Sequence, residues 1–209
     1  MTTFSGVPAG RAGRTWLLTR LITARRGVEL LESKLRVLQR EQQRFHLQAE
    51  RAAAEWRDSC REAQTWLVRA ALLGGQRAIA AAVPDGLADA EVAWTVAMGV
   101  RHPRDAVVRS AVPAATAATP ASTALVVAAE AYRQALAAGA RHAVVTEAVR
   151  RIDAEVLATR RRLRAVQDRW IPRLAEALHD VETALEELEL AEGGRLRWAA
   201  ARARGTGER

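Results

Sequence analysis

The sequence predicts an all-α protein, a long antiparallel two-helix coiled coil with a short mid-chain insert that is compatible with a β-hairpin. Two long segments carry an apolar side chain at every third or fourth position, and a segment punctuated by Pro and Gly separates them. Aromatic residues make up only 4% of the 209 residues, which is too few for a wide globular core. These observations favour two long helices that fold back on each other.

The same patterns divide the chain into five segments. The tails are rich in Gly or in Arg, and the two helical segments enclose the insert. The predicted segments are a flexible N-terminal tail (1–13), a first coiled-coil helix (14–75), a mid-chain insert, hairpin and linker (76–118), a second coiled-coil helix (119–200) and a basic C-terminal tail (201–209).

The first helix has the clearest pattern. Alternating steps of four and three residues lead from Leu17 to Ala70, and only Gln42 and Ser59 on this stripe are polar. A period of 3.5 residues keeps one seam facing a partner helix as the pair supercoils. At 1.5 Å per residue such a helix is roughly 90 Å long. Gly74-Gly75 is a natural stop for it.

The second helix is expected to begin near Thr119-Pro120, where Thr caps the helix and Pro takes its first position. Its apolar stripe extends from Val145 to Leu188. Between Val166 and Leu178 the steps are four, four and four, which locally relaxes a left-handed supercoil. Pro172 lies in this stretch and is expected to kink the helix, because it lacks a backbone N–H.

The mid-chain insert has a different period. Val92, Trp94, Val96 and Met98 alternate with smaller residues, and Val107-Val108 follows as a second β-branched stretch. This pattern is typical of a small hairpin, although its turn is not of the Asn-Gly type.

Charge is concentrated at the chain ends. The net charge is +8, yet residues 1–26 hold five Arg and no acidic residue, and residues 193–209 hold five Arg against Glu208. The rest of the chain is therefore close to neutral. In an antiparallel pair the two ends meet, so we expect one strongly basic tip.

The sequence offers no catalytic, cofactor or metal site. Its four His residues are scattered, its single Cys excludes an intrachain disulfide, and no Gly-rich segment is followed by the Lys-Ser/Thr of a phosphate loop. No apolar run reaches the ~20 residues that span a bilayer, and the N-terminus lacks the apolar core of a signal peptide. We expect a cytoplasmic protein that meets the membrane only through partners.

Three short motifs, in order, resemble the D subunit of V/A-type rotary ATPases. They are Ala24-Arg25-Arg26-Gly27 with Leu30-Leu31 and Lys34, then Met98-Gly99-Val100, and then Arg161-Arg162-Leu163 with Ile171-Pro172-Arg173-Leu174. The resemblance covers nearly the whole chain. One departure is Arg164, at a position that the family usually fills with Asn.

The resemblance implies a central-stalk rotor protein without catalytic residues, which transmits torque between a catalytic hexamer and the ion-translocating rotor in the membrane. The implied partners are the catalytic A/B subunit hexamer at the terminal end, a cup-shaped subunit that links the mid-chain end to the membrane rotor ring, and the small F subunit of the stalk near the hairpin. The implied partner contacts are Arg25, Arg26, Met98, Gly99, Val100, Arg161, Arg162, Pro172 and Arg173.

Two other functions are compatible with a basic helical hairpin. One is a structural coiled-coil adaptor with unrelated partners. The other is a nucleic-acid-binding protein, whose clustered Arg would neutralise phosphates. The Arg stretches lack interleaved aromatic residues for base stacking, and no DNA-reading motif is evident, which disfavours nucleic acid.

Overall fold

The computed structural model describes residues 6–83, 86–109 and 122–206. It confirms the predicted fold class, with long helices paired around a small antiparallel hairpin. The elements in chain order are α1 (Gly10–Ala81), β1 (Asp89–Ala97), β2 (Val100–Arg109), α2 (Thr123–Arg164), a π-helix (Ala165–Trp170) and α3 (Ile171–Thr206). The chain forms two units, a terminal unit (residues 1–34 and 159–209) and a middle unit (residues 35–158).

The core of the terminal unit is a small leucine cluster between α1 and α3. Leu17 and Leu21 pack against Leu174 and Leu178, and all four are buried. Two ion pairs lie nearer the chain ends: Arg11 Nη2 is 3.1 Å from Glu189 Oε1, and Arg14 Nε is 2.8 Å from Glu182 Oε1. Residue numbers fall along α3 as they rise along α1, so the two helices are antiparallel.

The core of the middle unit changes in character along its length. Near the hairpin, Leu38 and Phe45 of α1 pack with Ala148, Ile152 and Val156 of α2. Farther along α1, small side chains form the core on both helices. The buried alanines there are Ala63, Ala70, Ala124, Ala128, Ala131 and Ala135. Small residues allow close approach of two helix backbones, which explains the low content of large side chains.

The polar residues on the first stripe have partners. Gln42 Nε2 donates to Asp153 Oδ1 of α2 at 2.8 Å, and Ser59 Oγ donates to the Glu55 carbonyl at 2.9 Å. Trp56, which occupies a seam position in the sequence pattern, is still 40% exposed and stacks on His142 instead of filling the core.

The first helix begins and ends beyond its predicted bounds. It starts at Gly10, because the residues before it fold back over the helix: Val7 joins the leucine cluster and Pro8 lies against buried Gly13. At the other end Gly75 has a φ of 70° and a ψ of 173°, which breaks the helix where the sequence predicts a stop. A short helical stretch then continues to Ala81.

The second helix begins at Thr123, and Ser122 caps it by accepting the Leu125 N–H at its Oγ. The predicted start at Thr119-Pro120 lies outside the described residues. Farther along, the run of four-residue steps coincides with the π-helix. A π-helix holds more residues per turn than an α-helix, so it absorbs the one extra residue of the sequence pattern and returns Leu174 to the seam. The predicted irregularity near Pro172 therefore takes the form of a π-helix.

The hairpin has a two-residue turn, Met98-Gly99, in which both residues have positive φ, 51° and 81°. This is the backbone of a type I′ turn, with Met where Asn is usual. Two side chains of β2 pack on the helices: Val100 contacts the Leu38 cluster, and buried His102 meets Phe45 edge-on with ring centroids 5.1 Å apart.

Candidate partner-binding surfaces

The predicted contact residues fall into two groups. Arg25 and Arg26 on α1, Arg161 and Arg162 at the end of α2, and Pro172-Arg173 in the first turn of α3 all belong to the terminal unit. The Met98-Gly99-Val100 segment belongs to the middle unit, where Met98 is exposed at the hairpin tip and Val100 faces the core.

The first group occupies a stretch of the terminal unit with little core. Since Leu21 packs against Leu174 and the helices are antiparallel, residues 22–34 lie opposite residues 160–173. No side chain is buried in either range. The leucine cluster adjoins this stretch on one side, and Thr159, which is fully buried, adjoins it on the other.

Exposed arginines surround this stretch. We name seven of them the arginine belt: Arg25, Arg26, Arg160, Arg161, Arg162, Arg164 and Arg169. Residues 22–34 and 159–173 together contain nine basic residues and three acidic ones. The chain between its two basic ends is close to neutral although it contains this belt, because acidic residues elsewhere balance the arginines.

Several arginines outside the belt are paired with carboxylates. Arg133, Arg150 and Arg151 each form an ion pair with a carboxylate three or four residues away on the same helix. Within the described part of the chain, no belt arginine has an ion pair. Arg160 and Arg164 are one helical turn apart, where like charges repel. The belt is therefore a surface on which positive charge exceeds negative charge.

Thr159 has an unusual hydroxyl group. The side chain is fully buried, and Oγ1 has no hydrogen-bond partner in the described part of the chain. Other helical threonines here, such as Thr19 and Thr65, donate to the carbonyl four residues earlier. An unpartnered buried hydroxyl costs free energy, so the seam is weakened where the belt begins.

In the middle unit, one ion network fastens the hairpin to α2. Glu147 accepts hydrogen bonds from Arg150 and Arg151, which together lower the pKa of its carboxyl group from 4.5 to about 2. Arg151 also donates to the Arg101 carbonyl at 3.2 Å and lies 4.8 Å from the centre of the Trp94 ring. Arg101 lies 4.9 Å from the same ring, so Trp94 contacts two guanidinium groups.

A cleft of about 640 Å³ lies between the two helices and the hairpin base in the middle unit. Exposed apolar groups line much of it, including Trp56, Tyr132 and Leu136, and the strand ends close one side through Asp89 and Val108. Such a surface accepts an apolar helix or strand of a partner.

Large apolar side chains are exposed in two further places. In the middle unit these are Leu72 and Leu73 near the end of α1, and Leu87 before the hairpin, with 82%, 73% and 96% exposure. In the terminal unit they are Leu188, Leu190, Leu196 and Trp198 of α3, beside the exposed Arg195 and Arg197. Contiguous exposed apolar surface is typical of interaction sites.

In the described ranges, no group of three or more His, Cys, Asp or Glu side chains is placed to hold a metal ion. None of the helices described is long and apolar enough to cross a membrane.

A family model for the D subunit of ATP synthase matches residues 15–201 of the sequence. The chain belongs to the ATP synthase D-subunit family. The D subunit is a non-catalytic stalk component of rotary ATPases, and it associates with the other subunits of the ATP synthase. The match confirms the resemblance to the V/A-type D subunit found in the three motifs. No individually curated protein matches the sequence.

Proposed function

We propose that this D subunit is the central rotor of a V/A-type ATP synthase/ATPase and transmits torque between the catalytic hexamer and the ion-translocating rotor in the membrane. The observation that carries this proposal is the antiparallel helix pair, whose seam is packed in both units. Interlocked side chains along a coiled-coil seam resist twisting, because rotation of one helix against the other disturbs each packed layer.

Two antiparallel helices lack three-fold symmetry. Inside a ring of three catalytic interfaces, such a pair presses differently on each interface and stabilises a different nucleotide state at each one. Rotation exchanges these states, which couples the angle of the rotor to catalysis. The difference in contact free energy between the three interfaces therefore governs both the binding of the rotor and its rotation.

The terminal unit is proposed to enter the catalytic A/B hexamer. Its arginine belt and the basic end of α3 supply cationic groups for this contact. Arg25, Arg26, Arg161 and Arg162 are the predicted contact residues in this group, with Pro172 and Arg173 beside them. The exposed Trp198 and Leu196 add apolar surface that a surrounding ring would cover.

The mid-chain end is proposed to sit in the cup-shaped subunit that leads to the membrane rotor ring. Leu72, Leu73 and Leu87 supply apolar surface there without a partner inside the described chain. The small F subunit of the stalk is assigned to the cleft beside the hairpin, where Tyr132 and Leu136 are exposed. With these partners the protein is cytoplasmic and peripheral to the membrane.

Co-purification with separately produced partners tests this assignment. We expect the chain to bind the catalytic hexamer, the F subunit and the cup-shaped subunit. Leu72→Ser with Leu73→Ser should release only the cup-shaped subunit, and Tyr132→Ala with Leu136→Ser only the F subunit.

Leu157→Ser is a matched control, because Leu157 is 52% exposed and lies outside both surfaces. It should leave all three interactions intact. Failure of the unaltered chain to bind the hexamer would contradict the proposed function. Loss of all partners together in either double variant would contradict the separate surfaces.

A further inference from the structure

We propose that the stretch inside the arginine belt is a compliant segment that a carboxylate-rich protein surface closes and stiffens by surrounding it. The identity of that surface as the inner face of the catalytic ring rests on the proposed function. The compliance and its response to carboxylates rest on the chain alone and are measurable on it.

Packing is sparse in this stretch. Residues 22–34 and 160–173 contain no buried side chain, whereas the leucine cluster of the same unit has four. The π-helix lies within this stretch, and none of its six residues is buried. Stretches with few buried contacts open at lower free energy than packed ones, so this stretch opens more easily than the leucine cluster beside it.

Excess positive charge acts on the same stretch. The seven belt arginines are exposed, and no ion pair within the described chain neutralises them. Their mutual repulsion favours separation of the groups and opposes close packing of this stretch. The Thr159 hydroxyl, buried without a partner in the described ranges, weakens the adjoining seam layer further. Charge repulsion and sparse packing therefore both favour opening of this stretch.

The arrangement of the arginines indicates the kind of ligand. Arg160, Arg161 and Arg162 are consecutive on one helix, so their side chains point about 100° apart and cover much of its circumference. Arg25 and Arg26 diverge likewise on α1. A nucleic-acid duplex contacts one side of a helix pair, whereas an enclosing protein surface meets all these groups. Guanidinium groups bind carboxylates in bidentate geometry, which matches such a surface.

Binding and closure are linked. In the closed form of this stretch the two helices pack against each other, and in the open form they separate. A ligand that neutralises the belt binds the closed form more tightly, because only the closed form brings the arginines together. It therefore shifts the population toward the closed form, and hydrogen exchange of the backbone amides slows. In a rotor, this segment would stiffen only when the catalytic ring surrounds it.

Hydrogen exchange of the full chain, followed by mass spectrometry, tests the proposal with poly-glutamate as the carboxylate probe. At low salt we expect amides of residues 160–173 to exchange faster than those of residues 145–156 and 174–178. Poly-glutamate should slow exchange in 160–173 by about threefold or more and leave the flanking peptides unchanged. Arg161→Gln with Arg162→Gln should slow exchange without the probe and weaken its effect.

Arg51→Gln with Arg77→Gln is the charge-matched control, because both residues are exposed arginines of the middle unit. This pair should leave the exchange of residues 160–173 and the response to poly-glutamate unchanged. Equal protection across all three peptides would overturn the proposal, and so would an absent response to poly-glutamate. A duplex DNA of equal charge that slows exchange as strongly would overturn the choice of a protein surface.

Failure here and failure of the proposed function are distinguishable. A chain that binds the catalytic hexamer but shows no compliant stretch refutes only the present inference. A chain with the predicted exchange behaviour that fails to bind the hexamer refutes the rotor assignment and leaves the carboxylate response standing.

Discussion

Two glycines of α1 differ in what surrounds them. A Cβ at Gly13 would overlap the Pro8 carbonyl oxygen, so the residues that fold back over the helix require glycine there. A Cβ at Gly27 would meet no atom within 4 Å. The same residue type therefore has a packing role at one position and none within the described chain at the other.

Substitution of each glycine by alanine should have opposite effects. Gly27→Ala should raise the free energy of unfolding by about 0.5–1 kcal/mol, because glycine disfavours a helix interior. Gly13→Ala should give no such gain, since displacing Val7 from the leucine cluster costs about 1–2 kcal/mol. Denaturant unfolding of the two variants measures both changes. A gain at Gly13 equal to that at Gly27 would show that the fold-back over Gly13 is not a fixed contact.

Protonation of the Glu147 carboxyl group should lower the stability of the protein as the pH falls. Its pKa is lowered from 4.5 to about 2, mainly by the Arg150 hydrogen bonds and then by Arg151. A lowered folded-state pKa means that the contribution is complete above pH 4.5 and is lost as the pH falls toward 2. Glu147→Gln should therefore lose less stability than the parent chain between these two pH values.

Thermal unfolding across that pH range measures this difference. Glu50→Gln is a suitable control, because Glu50 is exposed and has no ion pair in the described ranges. The control should follow the parent chain. Parallel curves for Glu147→Gln and the parent would contradict the assigned role of the Glu147 network.

At the level of elements, the π-helix is the feature that the sequence predicts least. The spacing of Val166, Trp170, Leu174 and Leu178 reveals one residue too many for a heptad pattern. Spacing alone does not say whether a coiled coil unwinds gradually or confines the excess to one turn. The structure confines it to Ala165–Trp170, and the leucines beyond it return to the seam.

Deletion of Gln167, an exposed residue of the π-helix, should therefore be tolerated. It places Leu174 one heptad after Val166, so a continuous α-helix keeps the apolar stripe in the seam. We expect the free energy of unfolding to stay equal or rise. Deletion of Glu176 is the control: it misplaces Leu178 and the apolar residues after it, and should cost about 2–5 kcal/mol. Equal losses in both variants, measured by denaturant unfolding, would contradict this account.

The hairpin shows what local patterns can and cannot predict. Alternation in Val92–Met98 predicts a strand, and the structure has one. The turn is less accessible, because Met98 adopts a positive φ that its residue type does not favour. Docking of Val100 and His102 against α1 and α2 supplies the tertiary contacts that the sequence pattern does not contain.

For the whole molecule, the sequence predicts the helix pair because a 3.5-residue period is a direct consequence of seam geometry. The three motifs predict the family, which the family match confirms. The sequence predicts the arginine belt only in part. Arg160, Arg164 and Arg169 stand close to Arg161 and Arg162 in the sequence. Their grouping with Arg25 and Arg26 depends on which residues face each other across the helices. Tertiary contacts set the register between the two helices, so the sequence of one helix alone does not determine it.

The central claim is that the protein turns inside the catalytic ring, and direct observation of rotation tests it. Cys60→Ser with Met98→Cys creates a single exposed thiol at the hairpin tip for a visible probe. With the catalytic hexamer immobilised and ATP supplied, we expect unidirectional stepping of the probe, with three steps in each turn. ATP hydrolysis that continues while the probe stays at one angle would contradict the account.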